Sequence, residues 1–321
     1  MEDKSKFDVV LYTLGPIHIG DGQVYSKNSY IVDNQSYYFP QMEKIFAYCE
    51  KKHPQLVQNF ENYLMNSKPM PLKKWLYQNH IEERTFGGYK IKNTNPNLKV
   101  SEISQFIRDA YHQPYIPGSS LKGALRTVIS NQMNWYKDVE NHDANVNKFF
   151  QGIHVSDSQT LSNDDLIICS KYLWSIRKDK KPKSLPVHWQ AIKPGSKIHF
   201  TVTCYGKDQI EMMRNFDQLA RAHYQKYYDY YLKDLRKDYI QNFRKEAFPY
   251  IYLGGGSGFW TKVLIDIANP SRHEKGKLRM IDKGAYKLTR VTNVSKELIN
   301  NQDDVFEMGK CGVAIREREW F

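Results

Sequence analysis

The sequence predicts a fold of the α+β class. Short segments rich in β-branched and aromatic residues, such as F-D-V-V-L-Y-T-L at residues 7–14 and K-I-H-F-T-V-T-C-Y at residues 197–205, are typical of strands. Between residues 41 and 80, and again between residues 209 and 243, apolar residues instead recur at steps of three and four, as they do in amphipathic helices. With 321 residues, the chain is long enough for two domains.

Charge and aromatic content indicate the class of partner. Lysine and arginine number 47 against 35 acidic residues, which gives a net charge of +12, and aromatic residues make up 14% of the chain. Because cations hold phosphates and aromatic rings stack on bases, this composition favours a nucleic-acid partner. Most of the 23 tyrosines are nevertheless expected to be half-buried packing residues.

Other features of the sequence argue against several protein classes. The mean hydropathy is −0.68, and the absence of any apolar run of about 18 residues predicts no membrane span. The charged N-terminus carries no apolar signal region, so we expect a cytoplasmic protein. The four cysteines form no C-x-x-C pair, so we predict neither a zinc ribbon nor a thioredoxin motif, and no metal or cofactor.

A glycine-rich loop follows the first predicted strand. Residues 15–22, G-P-I-H-I-G-D-G, hold three glycines, which allow either close approach of the backbone to a ligand or a tight connection between strands. His18 is a candidate RNA contact, although a single histidine without a paired base or metal ligand is more often structural. The loop alone does not decide between these interpretations.

The region that follows predicts a hairpin and then helices. Residues 29–39 predict a β-hairpin with its turn at Asp33 and Asn34, and helices punctuated by prolines are predicted from residue 41 to about residue 80. Residues 84–98 are rich in glycine and asparagine and predict a loop or a projecting hairpin. A further helix is predicted from about residue 101 to residue 110.

Residues 116–126, I-P-G-S-S-L-K-G-A-L-R, predict a turn that leads into a helix. Ser119 or Ser120 is suited to cap this helix, and Lys122 and Arg126, four positions apart, lie on one face of it. The N-terminus of a helix attracts anions, so the segment has the outline of a phosphate site. A capped surface helix with solvated charges is an equally good interpretation.

Strands are predicted at residues 153–157 and 165–173, followed by a basic loop. Residues 171–197 carry eight lysines or arginines and one acid, a balance of 8 − 1 = +7, which suggests a nucleic-acid track between strands. One long amphipathic helix is predicted from residue 209 to residue 243, with a tyrosine-rich stripe that packs in the core or at a subunit interface. A last strand is predicted in C-G-V-A-I, residues 311–315.

A second glycine cluster lies at residues 253–262, L-G-G-G-S-G-F-W-T-K. Such a loop can present consecutive N–H groups to a phosphate, and an aromatic residue and Lys262 follow it directly. It is neither a Walker A motif nor a Rossmann fingerprint, because the residue order and spacing differ. A flexible hinge is the alternative, and we favour a site of close backbone approach. Residues 271–290 are again basic, with a balance of 7 − 2 = +5.

Taken in order, the blocks P-I-H-I-G-D-G, I-P-G-S-S-L-K-G-A-L-R and L-G-G-G-S-G-F-W-T-K resemble those of the RAMP superfamily, the RNA-binding subunits of CRISPR effector complexes. The third block and the tyrosine-rich helix before it resemble, within this superfamily, the Csm-type subunit that caps type III-A complexes near the 3′ end of the crRNA. The middle block occurs in several RAMP proteins and therefore indicates the superfamily more than the subunit.

The resemblance implies tandem ferredoxin-like (RRM-like) domains with a helical insertion. The first domain would span residues 1–205 with the insertion at about 41–110, and the second would span residues 206–321 with the long helix and the glycine-rich loop. The resemblance also implies crRNA binding through residues of the three blocks: His18, Gly20, Ser119, Ser120, Lys122, Arg126, Gly254, Gly255, Gly256, Ser257, Phe259 and Lys262.

The resemblance further implies a subunit without catalytic activity. The backbone RAMP of such complexes carries a catalytic aspartate between its first strand and the P-G-S-S block, and neither Asp21 nor Asp33 matches that role. The implied partners are crRNA, the neighbouring backbone RAMP, the small subunit and host nucleases recruited for crRNA 3′-end maturation. The alternatives are a metal-independent RNA-processing endoribonuclease using His18, His112 or His154, and, more weakly, a nucleotide-binding enzyme using the glycine loop.

Overall fold

The computed structural model describes residues 3–68, 70–82, 86–94, 98–133, 142–175, 183–229, 248–258, 260–265, 287–292 and 306–319. Helices and strands both contribute to the fold, which confirms the predicted α+β class. The strands form three sheets, of five, six and three strands. No helix in the described part of the chain is long and apolar enough to cross a membrane.

The five-stranded sheet is antiparallel throughout and joins the two ends of the chain. Its order is β11-β14-β1-β10-β7. Side chains of β1 alternate between buried and more exposed positions, so one face of the sheet covers the core, as the sequence predicts for this strand. The strands are β1 (Lys4–Thr13), β7 (Ile153–Val155), β10 (Lys197–Tyr205), β11 (Tyr250–Tyr252) and β14 (Lys310–Glu317).

Helices α4 (Gly118–Gln132), α6 (Lys207–Arg214) and α7 (Phe216–Tyr227) pack against this sheet. The predicted apolar face of α4 is buried in the main core, where its side chains meet those of the central strands. Apolar side chains that share this core include Phe7, Val9 and Leu11 of β1 and Leu121, Leu125, Val128 and Ile129 of α4. A further helix, α5 (His142–Gln151), precedes β7.

The six-stranded sheet has the order β13-β12-β8-β9-β6-β2. It is antiparallel except where β6 runs parallel to β9. The strands are β2 (Gly20–Tyr25), β6 (Ile103–Phe106), β8 (Leu166–Ser175), β9 (Lys183–Ile192), β12 (Lys287–Thr292) and β13 (Phe306–Glu307). The sheet therefore combines strands from near both ends of the chain.

The predicted helical insertion has its own small core. Helices α1 (Met42–Lys52), α2 (Pro54–Met65) and α3 (Leu72–Gln78) pack with a three-stranded sheet of order β3-β4-β5. This sheet contains β3 (Ile31–Val32), β4 (Ser36–Phe39) and β5 (Tyr89–Lys92). The hairpin β3–β4 turns at Asp33, whose Oδ1 accepts hydrogen bonds from the backbone N–H groups of Gln35 and Ser36, as predicted for this turn.

The prediction of a helix at residues 101–110 was wrong, because β6 lies there. The buried residues Ile103 and Phe106 are three positions apart, a spacing that suits a helix as well as a short strand. Pairing with β9 and β2 decides for the strand, and such long-range pairing leaves no mark in the local pattern. The predicted loop or hairpin at residues 84–98 contains strand β5.

Two other segments also differ from prediction. The helix predicted at residues 209–243 is interrupted at Asn215, which caps both α6 and α7 with a non-helical φ of −94° and ψ of 5°. The buried stripe continues across the break as far as Tyr227, and the rest of the predicted helix lies outside the described residues. In the basic segment 171–197, residues 171–175 belong to β8 and residues 183–192 to β9, so the predicted loop is shorter than expected. Its most basic stretch, residues 176–182, lies outside the described residues.

The strands on either side of residue 205 share one sheet. β11 and β14, from the second predicted domain, pair in the same sheet as β1 and β10, from the first. The domain boundary between residues 205 and 206 therefore remains a prediction, and it separates regions whose backbones are hydrogen-bonded to each other. All four cysteines are buried and free, which agrees with their interpretation as small apolar residues.

Candidate nucleic-acid interface

The first and third glycine-rich blocks meet. The backbone N–H of Gly255 donates a 2.7 Å hydrogen bond to the carbonyl oxygen of His18, and these two residues form an isolated antiparallel bridge. A Cβ atom at Gly254 would lie 2.3 Å from the same carbonyl oxygen. Only a residue without a side chain permits this approach. Glycine at position 254 therefore allows the loop after β11 to contact the loop after β1.

His18 fastens this junction to β9. The residue is only 6% exposed, its Nδ1 lies 2.7 Å from the carbonyl oxygen of Gln190, and its ring stacks on Trp189 with ring centroids 4.6 Å apart. Gly20 begins β2 nearby, and a Cβ atom there would lie 3.0 Å from His18 Nε2. The position of His18 thus agrees with the structural interpretation of this residue, while Gly20 itself is exposed.

The glycines of the third block serve tight turns and close packing. Gly254, Gly256 and Gly258 have φ angles of +79°, +75° and +97°, which L side chains rarely adopt. A Cβ atom at Gly256 would lie 2.4 Å from the sulfur of Met308 and 2.5 Å from the ring of Trp189. The loop is therefore a packed, defined structure, which disfavours its interpretation as a flexible hinge.

Polar side chains of the same block stabilise it from within. The Oγ of Ser257 donates to the carbonyl oxygen of Gly254 at 3.1 Å, and the Nζ of Lys262 donates to that oxygen at 2.6 Å. The side chain of Lys262 is exposed at the surface of the loop, so it both closes the turn and places a positive charge beside it. Phe259, also predicted as a contact, lies outside the described residues.

The start of α4 is capped differently from the prediction. The cap position is Pro117, and neither Ser119 nor Ser120 supplies a side-chain cap. Instead, the N–H of Gly118 donates a 2.7 Å hydrogen bond to Oδ1 of Asp157, 39 positions away. A carboxylate already satisfies this helix start electrostatically, so the site is less open to a phosphate than the sequence suggests.

Lys122 and Arg126 are partly buried on α4. Burial, and to a smaller extent the charge of Arg126, lowers the pKa of Lys122. The Nη1 of Arg126 donates to Oδ1 of Asn147 at 2.9 Å, and its guanidinium lies 6.0 Å from the centre of the Phe150 ring. These contacts orient Arg126 toward α5, while Lys122 has no ion-pair partner among the described residues.

The structure brings two of the three blocks together and leaves the second apart. α4 begins against β7, where a Cβ atom at Gly118 would lie 2.4 Å from the carbonyl oxygen of Val155, whereas the third block follows β11. β7 and β11 are opposite edges of the five-stranded sheet, roughly 19 Å apart at about 4.8 Å per strand. The far end of α4 does reach the third block's side, because Asn131 exchanges hydrogen bonds with the backbone of Val263 and Ile265.

Sequence reasoning overlooked a buried polar cluster beside the first block. The guanidinium of Arg108 lies 3.4 Å from the centre of the Tyr89 ring, and the fully buried Gln190 side chain accepts from the backbone N–H of Phe106 and bonds Tyr89 Oη. Burial lowers the pKa of Arg108 and raises that of Tyr25, which contacts Tyr89. The pairing of β6 with β9 assembles this cluster, and no local motif marks it.

The histidines considered for catalysis lie on separate elements. His112 is exposed in the turn after β6, with a φ of +62°, and His154 is exposed on the edge strand β7. His18 is buried and bonded to a backbone carbonyl. Among the described residues, no group of His, Cys, Asp or Glu side chains is arranged to hold a metal ion.

Comparison with known proteins identifies relatives along the whole chain. Residues 10–259 match the family model of the RAMP superfamily. The chain is 34% identical to "CRISPR system Cms protein Csm5" of Streptococcus thermophilus, with 98% of each protein covered. It is 26% identical to the protein of that name from Mycobacterium tuberculosis, again with 98% of each covered.

Solved structures show the same fold. One is a chain of the cryo-EM structure of a Csm-crRNA-target RNA ternary complex from a type III-A CRISPR-Cas system, with a TM-score of 0.69 and 14% identity over 96% of this chain and 100% of that one. Another is the crystal structure of T. onnurineus Csm5, with a TM-score of 0.61 and 16% identity over 94% of this chain and 99% of that one. At these identities the likeness concerns the fold.

Proposed function

Because the chain belongs to the RAMP superfamily and, within it, to the family of Csm5 proteins, we propose that it is a crRNA-binding subunit of a type III-A CRISPR effector complex that acts in antiviral defence. The Csm5 proteins of Streptococcus thermophilus and Mycobacterium tuberculosis match this chain over 98% of their length. A chain of the same fold comes from the structure of a Csm complex with crRNA and target RNA. In this proposal the neighbouring backbone RAMP and the small subunit are its protein partners.

The contact between the first and third blocks is the observation that best supports RNA binding. The contact between His18 and Gly255 places the exposed Gly20 and the ammonium of Lys262 on connected loops. Exposed glycine backbone on one loop and a cation on the connected loop suit a phosphate of any nucleotide, because neither contacts a base edge. A subunit that carries guides of many sequences needs this kind of contact.

The finer role is a cap near the 3′ end of the crRNA that supports crRNA maturation, with host nucleases recruited for trimming and no catalytic activity of its own. The burial of His18 and its bond to a carbonyl oxygen support the last point, because a general base needs access to the proton it removes. Incubation of the purified protein with RNA in EDTA tests it. Cleavage that is abolished in His18→Gln, while the thermal melt is retained, would establish the endoribonuclease alternative.

Filter binding with RNA of crRNA length, measured over a series of salt concentrations, tests the main proposal. Because the chain has a net charge of +12, we expect the logarithm of its RNA affinity to fall linearly with the logarithm of the salt concentration. The expected slope is about −0.7 for each phosphate contacted. Binding that is absent at low salt, or that does not respond to salt, would contradict RNA binding. The same titration with double-stranded DNA serves as the comparison.

We also infer that the five-stranded sheet is one ferredoxin-like unit. Its elements follow the chain as β1, α4, β7, β10, α7 and β14, which is a β-α-β-β-α-β order with β11 added at the edge. The insertion and the six-stranded sheet occupy the connections between these elements. The second unit of the predicted tandem remains a prediction.

A further inference from the structure

An apolar groove opens on the insertion, and the residues that line it lie outside the glycine loops. It has a volume of about 540 Å³ and lies between α3, β3 and the segment before β3. Its walls include Tyr30, Val32, Pro71 and Val100, and the exposed Tyr77 stands at its border. Val32 is 44% exposed and Tyr77 is 82% exposed, so apolar surface here faces water. A groove of this size and composition is typical of a binding site.

The border of the groove is positively charged. Lys27, Lys73 and Lys74 line it, and no acidic residue among those that the structure describes does so. Burial opposes the ionisation of Asp33, but hydrogen bonds from the backbone of Gln35 and Ser36, and then the charge of Lys73, lower its pKa. Because Lys73 already interacts with Asp33, Lys27 and Lys74 are the cations better placed to meet a partner. An apolar floor between cations is complementary to a chain segment in which apolar side chains are flanked by carboxylates.

We propose that this groove docks an acidic segment of a partner protein, with apolar side chains in the groove and Asp or Glu side chains opposite Lys27 and Lys74. β3 is an edge strand of its sheet, so its outer backbone can pair with an extended segment, and the face of α3 can instead receive a helix. The site is distinct from the glycine loops and does not depend on RNA binding there.

The residues that line the groove favour a protein partner over an RNA partner. Binding of single-stranded RNA uses exposed aromatic faces on which bases stack. Tyr30 is only 4% exposed, so its ring offers no free face, and the other apolar residues of the walls are mainly aliphatic. Tyr77 alone among these residues presents an open ring, which is insufficient for a stacking track.

Site-specific photo-crosslinking in the assembled complex tests the proposal. Val32 and Tyr77 are replaced, one at a time, by the photo-crosslinker p-benzoylphenylalanine in the chain co-expressed with crRNA and the other Csm subunits. Crosslinked peptides are identified by mass spectrometry. Both positions are expected to crosslink to one segment of another protein that carries a net negative charge.

A charge-reversal pair and a matched control make the test specific. Lys27→Glu plus Lys74→Glu is expected to reduce the crosslink yield about tenfold, because both groove cations then repel the carboxylates. Lys51→Glu plus Lys52→Glu, on the exposed part of α1 in the same insertion, is expected to leave it unchanged. Crosslinks to RNA or to a second copy of this chain, no crosslink at all, or a yield indifferent to the groove lysines would each overturn the proposal.

Discussion

The contact between the first and third blocks depends on the absence of a side chain at Gly254. At Gly254, a Cβ atom would lie 2.3 Å from the carbonyl oxygen of His18, and φ is +79°. We expect Gly254→Ala to lower the free energy of unfolding by about 1–3 kcal/mol for the collision, plus about 1 kcal/mol for the left-handed backbone. Urea unfolding followed by circular dichroism measures the change.

Gly258 provides the matched control for that substitution. Its φ is +97°, and a Cβ atom there would meet nothing within 4 Å. Gly258→Ala is therefore expected to show only the cost of the left-handed backbone. Equal losses of stability in the two alanine variants would show that the close approach to His18 is unimportant for stability.

His223 gives the protein a pH-dependent stability. The side chain is 3% exposed in α7, its Nδ1 has no hydrogen-bond partner in the described part of the chain, and burial lowers its pKa from 6.5 to about 4. The unfolded chain therefore binds a proton first, and the native state loses up to about 3 kcal/mol of stability as the pH falls from 6.5 to 4.

The variant His223→Leu isolates this contribution. It is expected to remove most of the decrease in stability between pH 6.5 and pH 4, while its stability at pH 7 stays close to that of the parent protein. Thermal melts at a series of pH values measure both proteins. If the melting temperatures of the two proteins fall equally between pH 6.5 and pH 4, His223 is not the source of the decrease in stability.

Single residues also show the limits of sequence reasoning. Ser119 and Ser120 have the right chemistry and position for a cap, yet the cap is completed by Asp157 from beyond α5. The blocks themselves were recognisable from their glycines, because a turn or a close approach demands that residue type locally. Arg108 and Gln190 carried no such mark, since their environment exists only after distant strands pair.

Among the secondary-structure elements, α4 links the edges of the five-stranded sheet. If Lys122 and Arg126 contact crRNA, replacing both by alanine should weaken RNA binding and reduce the magnitude of the salt slope by about 1.4, which is about 0.7 for each phosphate that is no longer bound. The thermal melt should stay nearly unchanged, because both side chains lie outside the apolar face of the helix. Filter binding and calorimetry provide the two measurements.

The control for α4 removes the same charge elsewhere. Lys51→Ala plus Lys52→Ala on α1 should leave RNA affinity close to that of the parent protein. If the two double variants bind RNA equally well, α4 takes no part in binding, and the second block serves the fold alone.

Elements with a clear local period were predictable. β1 and β10 alternate along their length, and the stripe of α7 repeats every three or four residues. The strand β6 was missed because four residues are too few to separate the two periods. The break at Asn215 was missed because the stripe keeps its phase across the junction, from Met213 to Phe216.

In the molecule as a whole, the central sheet depends on the last described strand. β14 lies between β11 and β1, and it contributes Cys311 and Val313 to the main core. A chain that ends at residue 305 is therefore expected to lose its cooperative thermal transition. A chain that ends at residue 318 keeps all of β14 and should melt like the parent protein; a cooperative melt of the shorter chain would contradict this dependence.

Net charge and fold class were accessible from composition and pattern, but the arrangement of the sheets was not. The basic residues 171–197 predict a loop because lysines interrupt the strand pattern, although β8 and β9 form a long antiparallel pair there. The meeting of the first and third blocks depends on pairing between strands from opposite ends of the chain, which a local period does not encode.

The partnership of β1 with β14 also has a consequence for biosynthesis. Ser5 and Glu317, which are hydrogen-bonded across these strands, are 312 positions apart. At roughly 5–20 residues per second, the ribosome needs about 15–60 seconds to make the chain between them. For the first part of that interval β1 has neither of its neighbours, and after β10 (Lys197–Tyr205) has been made the other edge of β1 still waits for β14 and can pair with other chains. Capture of crRNA or of a partner subunit cannot shorten this wait, because its length is set by the synthesis of the chain between the two strands.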